Sequence, residues 1–290
     1  MVTMRLTYYP DITQGQPAER VREEVEVFAA ALADQLGSDL GTPVTIEVPD
    51  VMTVPEQYDD MLAGRSALGL LKPVAYVFAH RRDARIVPAC VAHRPIDGVV
   101  GTFYFGQVYT RRDTGITSLD QLDAGRAGQL TIAYGDRFST SNFLIPANVL
   151  RRQAGVHPFA YFKRVEFAGG HDLAAEAVYE GRADLGAGHD GVITILAETR
   201  PDATERLVRL GKENIHSDPV VVHTGALPEP VTLESIQDAC VKVAALPEVQ
   251  AALDLFWGWV KGLSPTVHEN YASIEEALAG LHLEEADMLR

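Results

Sequence analysis

The chain has 290 residues, 47% hydrophobic and 22% charged, which is the balance of an ordinary globular protein with length enough for one large core or two smaller ones. A formal net charge of −15 excludes a nucleic-acid binder, which needs a basic face, and excludes electrostatic docking on anionic membranes. Two cysteines, Cys90 and Cys240, make neither a disulfide framework nor a metal cluster; buried free thiols are expected, with one bridge between them as the alternative in an oxidising compartment.

The elements follow in chain order. Residues 5–9 read as a short strand, then a long helix carries Val21, Val25, Phe28, Leu32 and Leu36 on one stripe and stops at Gly37. Strands are expected at 44–48, 67–71 and 86–92, with helices at 55–63 and 74–80 between them. Residues 98–110 are rich in β-formers and glycine. A second series follows: a helix near 118–123, a strand at 130–134, a helix after Ser139, a helix at 172–180, a strand at 183–187 and a helix from Val192. Strands at 207–210 and 220–223 lead into a mostly helical tail from Thr232. Such alternation implies parallel sheets covered by helices. An internal echo supports two lobes: Gly64, Arg65, Leu68 and Gly69 recur in register as Gly181, Arg182, Leu185 and Gly186. Half of that match is the glycine expected just past any helix end. No stretch has the roughly 20 apolar residues of a membrane span, so the chain is not expected to span a membrane. Met1 to Leu6 carry neither a basic nor a hydrophobic leader pattern. Either a leader is removed from the mature protein or the protein stays in the cytoplasm.

Between the strand ending at Tyr134 and the next helix stand Ser139, Thr140 and Ser141. One hydroxyl there is a helix cap; three in a row offer more donors than a cap requires. They sit at the positive end of a helix beyond the carboxyl end of a strand, where anions bind. Pro146 lies past the first turn and must remove one helical hydrogen bond. Competing patterns are weaker. Gly186, Gly188 and Gly191 fit a GxGxxG dinucleotide pattern, with Glu213 as an acidic ribose partner. No nucleophile elbow and no metal-ligand spacing among the nine histidines occur, so no metal and no cofactor are expected.

These pieces resemble the phosphonate, phosphite and phosphate binding proteins of ABC importers. The resemblance rests on residues 112–119, on Phe138 through Pro146 with the Ser-Thr-Ser run, on Gly169 to Asp172 and on Ser217 to Val220. It implies an α/β, two-lobed type II periplasmic-binding-protein fold, each lobe a mainly parallel sheet flanked by helices, with a ligand cleft between lobes. Residues 1–103 would open the first lobe, 104–218 form the second, and 219–290 return to the first. It further implies that Ser139, Thr140 and Ser141 hold the phosphorus oxygens, that His171 reaches the same oxygens, and that Tyr58 and Tyr104 arrive as the lobes close. Asp218 matches an acid that meets the ligand's amino group in aminoalkylphosphonate binders, although Ser-Asp-Pro is equally turn chemistry, and Asp190 is a second acid whose match depends on the local alignment. One departure stands out: the family's glycine after the run is Asn142 here, a side chain that could narrow the pocket or add a donor. The function implied is capture of a small phosphorus oxyanion for ABC importer permease subunits, without enzymatic activity, in the periplasm or at the cell surface if exported. The alternative is a cytoplasmic enzyme or sensor on the same fold, with His171 or Asp190 as general base.

Overall fold

The computed structural model describes residues 1–10, 17–96 and 98–289. Its strands, in chain order, are β1 (Val2–Tyr8), β2 (Val44–Glu47), β3 (Leu68–Leu70), β4 (Ile86–Ala92), β5 (Arg94–Ile96), β6 (Val99–Gly101), β7 (Phe103–Arg111), β8 (Thr131–Tyr134), β9 (Arg164–Phe167), β10 (Leu185–His189), β11 (Leu207–His216), β12 (Pro219–His223) and β13 (Leu263–Pro265). The chain divides into two compact units, one of residues 1–103 and 216–272, the other of 104–215 and 273–290.

The first unit is built on a six-stranded sheet in the order β13-β4-β12-β3-β1-β2, with β5 and β6 as a separate antiparallel hairpin. Strand β1 is parallel to both β2 and β3, whereas β12 runs antiparallel to β3 and β4. The helix Ala18–Leu40 buries the stripe Val21, Val25, Phe28, Leu32 and Leu36. It runs past Gly37, where a stop was expected, and ends at Gly41, which takes the left-handed backbone (φ 63°) that glycine adopts without penalty. The helix Val54–Leu62 opens with Thr53 and Glu56 satisfying each other's backbone N–H groups. Both thiols are free and buried, Cys90 on β4 and Cys240 in the helix Leu233–Val243.

The second unit holds a five-stranded sheet in the order β11-β7-β10-β8-β9. Strand β8 is parallel to β9 and β10, and β7 runs antiparallel to β10. In each unit, therefore, a first strand (β1 or β8) sits between the second (β2 or β9) and the third (β3 or β10), and an antiparallel strand (β12 or β7) covers the third. The internal echo falls on the same joint of both units: Gly64 and Gly181 have positive φ, and each leads within a few residues into the third strand. The sheets are mixed, not all parallel, because the chain enters the second unit through β7 and returns to the first through the end of β11.

The core of the second unit is rich in alanine, with Ala174, Ala175, Ala177 and Val178 of the helix His171–Tyr179 against Tyr109 and Ala133. Small residues let that helix approach the sheet. A Cβ on Gly186 would stand 2.6 Å from Val178 Cγ2 and 2.7 Å from Tyr109 Cε2, and one on Gly188 would stand 2.6 Å from Val192 Cγ1. Gly186 and Gly188 are thus explained by packing within the strand. Glu213 is likewise engaged, accepting from Asn148 Nδ2 at 3.3 Å and pairing with Arg152 at 3.4 Å. The last residues differ from expectation too. Residues 273–290 belong to the second unit rather than the first, with Leu281 and Met288 buried and the Leu281 carbonyl 3.4 Å from His157 Nε2.

Candidate functional site

The second unit gathers most of the expected site residues at one edge of its sheet, the carboxyl ends of β8 and β10 and the start of β7. Beyond Tyr134 the chain turns through Gly135 and enters a helical stretch at Ser139. That stretch is wide at first: the Leu144 N–H donates to the Ser139 carbonyl at 3.1 Å, and the Ile145 N–H to that of Thr140, each a five-residue step. Pro146 comes next in the series and has no N–H to give, so the bond it forfeits is the one due to the Ser141 carbonyl. Wide π turns of this kind recur at functional sites. Ser139 caps the stretch, its Oγ accepting from the Asn142 N–H at 3.0 Å. Ser139, Thr140 and Ser141 are all buried.

Asn142 spends its amide oxygen on the strand end rather than on the helix start. It is fully buried and turned back on the strand end, where its Oδ1 accepts the Gly135 N–H and its Nδ2 has no partner among the described residues. A Cβ on Gly135 would lie 2.8 Å from Asn142 Cγ, so the glycine makes room for the amide. The Gly169 N–H donates to the Gly135 carbonyl at 2.7 Å, which stitches the loop after β9 to the same place. That loop delivers His171, the first residue of the helix His171–Tyr179.

Two histidines meet here. His171 Nδ1 accepts the backbone N–H of His189 at 3.3 Å, and the two rings lie 4.7 Å apart, tilted by 54°. Accepting at Nδ1 places the imidazole proton of neutral His171 on Nε2. A general base with its free lone pair on Nε2 is the wrong tautomer for this geometry. His189 Nδ1 in turn accepts the Gly191 N–H at 3.0 Å, so its proton also sits on Nε2. The end of β10 is held by buried Gln107, whose Nε2 donates to the carbonyls of His189 and Asp190. Asp190 follows directly, its carboxylate 3.8 Å from His189 Nδ1. Tyr104 is buried two residues before Gly106 on β7, and alternation puts both on one face of the sheet.

From sequence, His189 beside Asp190 is read as no catalytic dyad, because adjacent residues diverge, and neither Gly106 nor Gln107 carries a signal; Gly106 has meaning only through its cross-strand partner.

The remaining two candidates belong to the first unit. Tyr58 is buried on the helix Val54–Leu62. Asp218 is buried and paired with Arg94, whose Nη2 donates to Oδ2 at 2.7 Å; the same guanidinium donates to Ser217 Oγ and the Gly258 carbonyl. Burial pushes the Asp218 carboxyl up, against the downward pull of Arg94 and Lys72. Its charge is already answered by a guanidinium that makes three hydrogen bonds. No group of three or more His, Cys, Asp or Glu side chains converges for a metal among the described residues, and no described helix is long and apolar enough to cross a membrane.

The repeated strand order and the helix starts at the sheet edge define the class, the α/β fold of type II periplasmic binding proteins. Solved structures share it. A Prochlorococcus marinus protein in complex with methylphosphonate is 19% identical, with 97% of this chain and 98% of that one covered and a TM-score of 0.70. A binding protein component of an ABC phosphonate transporter from Pseudomonas aeruginosa is 19% identical, with 99% and 89% covered and a TM-score of 0.66. A Xanthomonas citri protein, solved with chloride and with ATP, is 18% and 17% identical to the chain in the two structures, with TM-scores of 0.74 and 0.72 and 97% of this chain covered in each, against 97% and 98% of that chain. Comparison with curated proteins gives no match. The sequence model of the periplasmic substrate-binding proteins of phosphonate ABC transporters matches residues 16–271. The chain belongs to that family, one of transport components rather than enzymes.

Proposed function

We propose that the chain captures a small phosphorus oxyanion at the Ser139–Ser141 helix start and hands it to the permease subunits of an ABC importer. The supporting observation is the convergence of a hydroxyl-furnished helix start with His171, which presents a proton on Nε2, at the carboxyl edge of one sheet. Hydroxyl and imidazole donors suit tetrahedral oxygens in more than one protonation state, which a fixed Arg clamp would not. Each hydrogen bond to a charged oxygen contributes about 1.5–3 kcal/mol net. A handful of them reaches roughly micromolar affinity after the costs of ordering. Tyr104 joins from β7, and Asp190 borders the site. Asp218, answered by Arg94, acts as a structural acid, so the ligand is an oxyanion without an amino tail: methylphosphonate, phosphite or phosphate. The chain does no covalent chemistry on it and works outside the cytoplasm, in the periplasm or at the cell surface.

Calorimetry with methylphosphonate, phosphite, phosphate and 2-aminoethylphosphonate tests this reading. Thr140→Val is expected to weaken binding of the preferred anion tenfold or more with the melting temperature unchanged. Unaltered affinity refutes the site, and preference for the amino compound refutes the role given to Asp218.

A further inference from the structure

We infer that His189 is a second imidazole of the oxyanion site, presenting its Nε2–H beside Ser141; this rests on the function proposed above and extends it to a residue outside the Ser-Thr-Ser pattern. Three observations carry it. First, His189 lies directly across the antiparallel ladder from Gly106. Opposed residues on such a ladder project to the same face. Second, that face at Gly106 is the one where the Ser-Thr-Ser helix starts: a Cβ there would meet the Ser141 carbonyl oxygen at 2.9 Å and Pro146 Cδ at 3.0 Å. The His189 side chain therefore stands next to Ser141, one strand spacing away, with Tyr104 on the same face. Third, the Gly191 N–H occupies His189 Nδ1, in the way an Asx turn uses an asparagine oxygen. That leaves the ring proton on Nε2, the donor end. The backbone N–H of His189 also holds His171 in the matching tautomer. One strand end thus sets two imidazoles as donors, neither of which needs a positive charge.

Asparagine and glutamine separate the two ends of the ring. His189→Asn keeps an acceptor for the Gly191 N–H and loses the Nε2 donor; His189→Gln puts an amide donor near the Nε2 position. With methylphosphonate as the probe in calorimetry, H189N is expected to lose tenfold or more in affinity and H189Q to stay within about threefold of the unsubstituted protein. Affinity unchanged in H189N, or kept by H189N and lost by H189Q, overturns the inference. A second measurement does not depend on either variant folding well. Imidazole nitrogen NMR of the unsubstituted protein should show His189 as the Nε2–H tautomer, with its Nε2 resonance moving on titration with methylphosphonate. An unmoved resonance in a protein that binds overturns the inference alone. If the unsubstituted protein binds none of the four ligands, the oxyanion reading falls and this inference with it.

Discussion

At the scale of single residues, burial decides what a titratable group can do. His216 ends β11 with its Nε2 2.8 Å from Thr266 Oγ1, its ring edge-on to Tyr271 and Phe103, and no partner for Nδ1 among the described residues. Burial lowers its pKa from an ordinary 6.5 to about 4. The folded protein thus holds this ring neutral where the unfolded chain takes up a proton. The unfolded state binds more protons between those two values, so stability falls as pH drops from 6.5 toward 4 and is unaffected by this group above 6.5. Urea unfolding across that window should show the native protein losing stability relative to His216→Gln. Parallel curves would show that the ring is charged in the fold. The same logic governs Asp218: a buried carboxylate is tolerable because Arg94 meets it, and a ligand cation would have to compete with a partner already in place.

At the scale of elements, glycines report where backbones touch. Gly106→Ala puts a methyl group 2.9 Å from the Ser141 carbonyl, a backbone atom that cannot swing aside. The expected cost is about 1–3 kcal/mol of stability, together with at least a tenfold loss of oxyanion affinity as the helix start is pushed off the sheet. Gly101→Ala, with nothing within 4 Å of the added carbon, is the matched control and should leave both unchanged. Denaturation and calorimetry read the two effects separately. Elements that the sequence hid have a common cause. Strand β9 is a charged, half-buried edge, Arg-Val-Glu-Phe, and β13 is three residues ending in a proline. Neither carries an apolar run or a clean alternation, and both are strands because a neighbouring strand supplies the ladder.

At the scale of the whole molecule, a net charge of −15 opposes an anionic ligand at long range. Capture must come from local donors, and screening removes repulsion rather than attraction. The association rate for methylphosphonate is therefore expected to hold or rise when salt increases from about 10 mM to about 300 mM, by stopped-flow fluorescence. A steep fall would reveal a positive field that the composition hides.

The sequence by itself determined the alternation of strands and helices, the buried stripe of the first long helix, the duplicated helix-to-strand joint, and the hydroxyl run at a helix start. All of these are local, written in periodicity, caps and composition. Tertiary structure alone decided that His189 faces Gly106 across the ladder, that Asn142 folds back onto Gly135, that Gly186 packs against Val178 and Tyr109, and that Asp218 answers Arg94. Each of these is a meeting of residues that lie 7 to 124 positions apart, and the register of a strand ladder or the approach of a helix to a sheet sets it. No local pattern records which face a strand residue shares with its cross-strand partner.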